Sequence, residues 1–150
     1  MELSPGRVLA LDLGQRRIGL ALSDPLGISA QGLPTLQRQR FGEDMAALAA
    51  LAQQHQVKLW LIGLPRHMSG EEGRQAQAAR RFGAALTRHT GVPVQFWDER
   101  LTTVEAQRVL TEAGASLSTR QRAIDRLSAV VLLQSYLDAQ RQSGGNLEEP

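Results

Sequence analysis

The chain has 150 residues, 42% of them hydrophobic, enough for a packed core and well outside the composition of disordered chains. No run reaches the roughly 18 apolar residues of a membrane span, and there is no cysteine, which excludes disulfides, thiolate zinc sites and cysteine nucleophiles. The net charge is only +2, but sixteen of the seventeen bases are Arg, whose planar fork pairs well with anions, and three of the fifteen acids (Glu2, Glu148 and Glu149) sit near the ends. Met1–Gly6 has no basic segment followed by an apolar stretch and a small-residue cleavage site. No secretory leader is expected, and a cytoplasmic location fits a chain without cysteine.

Arg7–Asp12 is an apolar run of strand length, Gly14–Arg17 a turn and Ile18–Ser23 a second strand, so the chain opens on an antiparallel hairpin. A third strand is expected near Gly27–Leu33, before Pro34. In Glu43–His55, Met45, Leu48, Ala49 and Ala52 recur at helical spacing, with Glu43 and Asp44 favourable in the first turn. Val57–Gly63 is a short apolar strand. The loop Leu64–Gly73 leads into a polar helix over Arg74–Thr90, stopped by Gly91 and Pro93. Val94–Asp98 is the next strand. Thr102, with Glu105 three residues on, forms a capping box that opens a helix to about Ala113. Gly114–Ser118 is a loop before the longest helix, Thr119–Gln142, and Ser143–Pro150 reads as a disordered tail. The order ββ(β)αβαβαα, without repeats or linkers, predicts one α/β domain over residues 1–142. Its architecture would be a mixed five-stranded sheet, antiparallel at the N-terminal strands, with helices on both faces.

Open α/β sheets bind ligands beyond the carboxyl ends of their parallel strands. Asp12 ends the first strand there, where an apolar residue would cost less. A carboxylate in that place needs a hydrogen bond, an ion pair or a metal, and it could also simply cap the turn. The loop that carries Arg66 and His67 leaves the next parallel strand, and Asp98-Glu99-Arg100 ends the last. Adjacent strand residues face opposite ways, so at most one of Asp98 and Glu99 aims at a site shared with Asp12. Asp125 falls on the stripe of Ser128, Ala129 and Leu132 in a final helix that is apolar nearly all round and hence largely buried. Arg122 and Arg126 offer it a structural ion pair; a metal would serve equally well.

Three carboxylates this far apart in sequence suit a hard cation, magnesium or manganese, which takes oxygen ligands and retains water. Two such ions about 3.5–4 Å apart can activate water and stabilise the leaving oxygen of a phosphodiester. They also offset the repulsion between the acids and phosphate. Arg16, Arg17, Arg66, Arg74 and Arg100 are placed to hold a nucleic-acid backbone, with His67 as a further contact. His55 and His89 fall at helix C-termini, where a cation is favourable, and Trp60 and Trp97 fall within strands; all four read as structural. With aromatics at 4%, base stacking is a weak theme.

The stretch Leu11-Asp12-Leu13-Gly14-Gln15-Arg16-Arg17-Ile18-Gly19 through Asp24 resembles the opening block of the bacterial YqgF-type family. Its members are called pre-16S ribosomal RNA nucleases or Holliday-junction resolvases. Ile62-Gly63-Leu64-Pro65 with Gly70–Ala76, then Asp98–Ala106, then Ile124–Ala129 through Leu133–Leu137 resemble the family's later blocks, in order and over almost the whole chain. The resemblance implies a ribonuclease H-like fold and a metal-dependent nuclease that matures the 5′ end of 16S ribosomal RNA. It implies that Asp12, Glu99 and Asp125 are the catalytic, metal-binding carboxylates, with Asp98 as the alternative to Glu99. His67 stands where many relatives carry Asn. Two other readings stay open: a resolvase acting on branched DNA, and a non-catalytic nucleic-acid-binding or ribosome-assembly module. A resolvase cuts two strands symmetrically and works as a two-fold dimer. No dimer signature stands out, so monomer and homodimer both remain and RNA is slightly favoured over branched DNA. A final helix that simply ran up and down would start Asp125 at the wrong edge of the sheet. Either that helix crosses diagonally or the preceding one lies across its end.

Overall fold

The computed structural model describes residues 6–65, 73–98 and 117–148, with the backbone alone at 117–126 and 143–148. The described elements, in order, are β1 (Arg7–Leu13), β2 (Arg17–Ser23), β3 (Ala30–Gln37), α1 (Phe41–His55), β4 (Val57–Leu64), α2 (Arg74–Thr90), β5 (Val94–Asp98) and α3 (Leu117–Glu148). The helix expected from Thr102 to about Ala113 lies outside the described residues. No described helix is long and apolar enough to cross a membrane.

The five strands form one sheet in the order β3-β2-β1-β4-β5. The β3-β2-β1 part is antiparallel and the β1-β4-β5 part parallel, which is the mixed sheet expected. Because β1 and β4 are central and covered on both faces, they read as near-continuous apolar runs rather than as alternations. On one face Leu9, Leu11, Ile18, Leu20, Trp60, Ile62 and Leu64 pack with Met45 and Leu48 of α1 and Ala79, Phe82 and Leu86 of α2. On the other, Ala10, Ala21 and Leu61 pack with Ala129, Leu132, Leu133, Tyr136 and Leu137 of α3. Alanines at the centre of that second face let the helix backbone approach the sheet closely.

Several boundaries differ from expectation, most of all those of the third strand and the last helix. The third strand starts at Ala30 and runs on through Pro34 to Gln37. Proline is tolerated because β3 is an edge strand and Pro34 sits at an irregularity, where the pairing steps from Leu20↔Leu33 to Ile18↔Leu36. Gly27 belongs instead to a tight turn in which the Asp24 carboxylate accepts the Ile28 and Ser29 N–H groups at 2.7 and 3.1 Å. These bonds from Ser29 and Ile28 hold the Asp24 carboxyl below its ordinary pKa. The last helix begins at Leu117, and its backbone continues to Glu148 through most of the segment expected to be a disordered tail. At the start of α1 the Glu43 carboxylate accepts the N–H of the N-cap residue Arg40 at 3.1 Å, as in a capping box, and Asp44 accepts the Gln39 N–H just before the helix at 2.9 Å.

Gly83, inside α2, marks where that helix lies tightest on the sheet. A Cβ there would stand 2.9 Å from Phe96 Cζ, 3.2 Å from Val94 Cγ1 and 3.3 Å from Ile62 Cδ1. Alanine in a helix interior normally gains about 1 kcal/mol over glycine, whereas overpacking a core costs about 1–3 kcal/mol. The steric term is expected to win, so Gly83→Ala should lower the unfolding free energy measured in urea by roughly 1 kcal/mol. A more stable variant would show instead that α2 lifts off the sheet without penalty.

Candidate functional site

The carboxyl ends of β1, β4 and β5 lie side by side, because these three strands are parallel neighbours. Asp12 pairs with Gly19 of β2 on one side. On the other side, one step beyond the Leu11↔Ile62 pair, the next β4 residue is Gly63, which itself pairs with Trp97. The row across the sheet is therefore Gly19, Asp12, Gly63, Trp97, and the half-buried carboxylate has a glycine on each side. Alternation along β1 gives Asp12 the parity of Ala10, which packs with α3.

Asp98 ends β5 opposite Leu64. It has the parity of Val94 and Phe96, which pack on the α1–α2 side, whereas Trp97 packs on the α3 side. Alternation thus puts Asp98 and Asp12 on opposite faces. Glu99 and Arg100 lie outside the described residues, as do Arg66 and His67. Among the described residues no group of three His, Cys, Asp or Glu side chains gathers as a metal site; of the acids Asp12, Glu99 and Asp125, only the Asp12 side chain is among them.

The path of α3 decides where position 125 falls. Gln134 bridges the Ala30 N–H (3.1 Å) and the Ile28 carbonyl (2.9 Å), and Arg141 donates to the same carbonyl at 2.8 Å. These bonds tie the second half of α3 to the end of the sheet where β2 stops and β3 starts, which is the amino end of β1. Ala129, Leu132 and Leu133 lie farther up, over Ala10, Ala21 and Leu61. Position 125 is one turn farther toward the carboxyl end of β1. The helix therefore starts at the same edge as Asp12 and runs down the sheet, so the wrong-edge start that a simple up-and-down path implied does not occur. Along this stripe Ser128 is buried, and its hydroxyl is an unpartnered buried polar atom among the described residues.

The basic residues divide. Arg16 is exposed in the β1–β2 turn, which is closed by a bond from the Gly14 N–H to the Arg17 carbonyl at 2.9 Å. A Cβ at Gly14 would meet that carbonyl oxygen at 2.7 Å, so the turn requires glycine. Arg17 opens β2, half-buried and paired with Gln37. Arg74 is exposed at the start of α2, whose first turn holds no acid, so it adds to the positive end of the helix dipole. His55 and His89 sit in the last turns of α1 and α2, and Trp60 is fully buried, as read from the sequence. Trp97 is half-buried; its indole N–H donates to Ser135 at 3.2 Å and its ring meets Tyr136 edge-on, where burial pushes the phenol pKa up. Sequence reasoning missed Arg38. Its guanidinium donates to the Gly14 carbonyl at 2.6 Å and lies over the Phe82 ring at 5.5 Å, which brings it to the β1–β2 turn. The Arg38-Gln39-Arg40 run was the available signal, hidden by ending the third strand too soon.

Residues 6–139 match the family described as RuvX, Holliday junction resolvase. The chain belongs to this family. A relative from Koribacter versatilis, named as a pre-16S rRNA nuclease, is 49% identical over 97% of this chain and 93% of its own length. A relative of the same name from Moorella thermoacetica is also 49% identical, over 92% of this chain and 99% of its own length. Among solved structures, T. thermophilus RuvC bound to a Holliday junction substrate superposes with a TM-score of 0.59 at 14% identity, covering 92% of this chain and 97% of that one. Fowlpox virus resolvase in complex with substrate Holliday junction DNA gives 0.54 at 9% identity, over 89% and 98% of the two chains. At such identities the likeness is one of fold, and the fold is the ribonuclease H-like one expected.

Proposed function

We propose that this chain is a divalent-metal-dependent nuclease that processes the 5′ end of pre-16S rRNA, with Asp12, Glu99 and Asp125 as its metal-binding carboxylates. The observation that carries the reading is Asp12 itself: a half-buried carboxylate between two glycines at the carboxyl edge, on the face where α3 begins. The donor chemistry fits a hard cation, since the available groups are carboxylate and hydroxyl oxygens, including the unpartnered Ser128 hydroxyl one turn on from position 125. Bound magnesium or manganese would supply Lewis-acid and water-activating chemistry at a phosphodiester. Glu99 is kept over Asp98 because Asp98 stands on the face opposite Asp12. Arg16, Arg17 and Arg74, with Arg66, His67 and Arg100 of the adjoining loops, would hold the phosphate backbone. Membership in the family and the names of its relatives support a hydrolase acting on nucleic-acid phosphodiesters.

The family description favours a second reading, a resolvase of branched DNA. One assay separates the two. Purified protein is incubated with precursor 16S rRNA and with a four-way DNA junction, each with magnesium, manganese or chelator. Metal-dependent cutting of the precursor at its 5′ side is the expected result. Paired symmetric nicks in the junction alone would replace the RNA reading by the resolvase one, with a homodimer as the working form. Binding without cleavage of either would leave a non-catalytic assembly module.

A further inference from the structure

A trough lies against the β1–β2 turn on the α1–α2 side of the sheet, the face opposite the Asp12 side chain. It consists of two adjoining depressions of about 670 and 250 Å3 that share Gln15 and Arg38 in their walls. The smaller touches Leu13, Gly14, Pro65 and Gln75, beside the carboxyl ends of β1 and β4 and the start of α2. The larger leads past Arg16, Gln37 and Gln39 to Phe41 at the start of α1. Asp12 points to the α3 face, so a strand lying there would cross the carboxyl edge of the sheet at Gly14 and Gln15, two and three residues on, to enter the trough on the α1–α2 side.

The lining has a definite chemistry. Arg38 is held in place by the Gly14 carbonyl and the Phe82 ring, so its charge is preorganised rather than free to swing. Arg16 is exposed beside it. Of the nearby acids, Asp44 is buried on the Gln39 N–H, whereas Glu43 is exposed and accepts the Arg40 N–H. The exposed Gln15, Gln37 and Gln39 amides offer both donors and acceptors. Phe41 is 51% exposed, though its ring is braced edge-on by Phe82 and His89, each 6.3 Å away. A braced aromatic ring left in water beside positive charge is a stacking platform, and an unpaired base offers a face that a duplex hides.

We infer that this trough carries a single-stranded RNA segment adjoining the cleavage point, with phosphates on Arg16 and Arg38 and one base stacked on Phe41. The inference rests on the nuclease reading above and adds a binding track on the α1 side of the hairpin. It is tested by equilibrium binding of a fluorescein-labelled 12-nucleotide single-stranded RNA to the full chain carrying Asp12→Asn, at several salt concentrations. Adding Phe41→Ala should weaken binding about tenfold. Gln37→Glu should weaken it several-fold. Gln37→Arg should tighten it and steepen the salt dependence by about one ion; as a gain at an exposed position it does not depend on a damaged fold. If the parent binds RNA and all three variants bind within twofold of it, the trough is not the track and the nuclease reading stands. If the parent binds no single-stranded RNA but binds a DNA junction, both the trough and the RNA reading fall.

Discussion

Asp12→Asn should reduce metal-dependent cleavage by roughly a thousandfold, a loss of about 4 kcal/mol in transition-state stabilisation. The substitution keeps the size of the side chain and removes one negative oxygen from the row between Gly19 and Gly63. The core beneath, Leu9, Ala10 and Leu11, is untouched, so the melting temperature without metal should stay within a few degrees. A second readout separates metal binding from catalysis. Manganese that binds only the folded state raises the wild-type melting temperature by mass action, and the Asn variant should lose that rise together with its activity. Asp125→Asn should behave alike. Full activity in Asp12→Asn would remove this carboxylate from the site. Lost activity with an undiminished manganese shift would give it a role other than holding metal.

The largest stability effect is expected in the middle of β4, on the face away from Asp12. Trp60 is fully buried, and its indole N–H donates to the Thr90 hydroxyl at 3.1 Å. That hydroxyl also donates to the Leu86 carbonyl at 2.7 Å and accepts the Val92 N–H at 3.2 Å, so one hydrogen-bonded node joins the strand, the end of α2 and the connection to β5. Trp60→Ala should cost about 3–5 kcal/mol through the lost burial and the cavity left behind. For a chain of this size that corresponds to a melting temperature lower by roughly 10 °C. Trp60→Phe keeps most of the apolar volume and loses one bond, at about 1 kcal/mol plus a smaller cavity. Equal losses in the two variants would show that the Thr90 node, not the packing, accounts for the effect.

Arg38 shows most directly what the sequence hid. Ending the third strand at Leu33, before Pro34, leaves Arg38 in a nondescript connection. Extending it to Gln37 lays Gln37 against Arg17 and lets the Arg38 N–H donate to the Arg16 carbonyl at 2.8 Å, which draws the connection onto the β1–β2 turn. A proline that would break a central strand is accepted at an edge, and whether a strand is at the edge is a property of the assembled sheet. The tail is a second case. Ser143–Gly145 lacks helix-forming side chains, yet the α3 backbone runs on to Glu148.

Local pattern by itself determined the element types, because burial on one or both sides of a strand or helix writes a period of 2, a period of 3.6 or an unbroken apolar run into the chain. It placed α2 and β5 at their observed bounds, put Trp60 in the core and put Asp12 at a strand end where a carboxylate needs a reason. Only the tertiary structure decided which strands are neighbours, that Asp12 and Asp98 stand on opposite faces, that glycines flank Asp12 from two other strands, and that α3 begins at the edge where β1 ends. Those relations join residues up to more than a hundred positions apart, as in the Gln134 bonds to Ile28 and Ala30. They follow from how the layers pack on one another, which no short window of sequence contains.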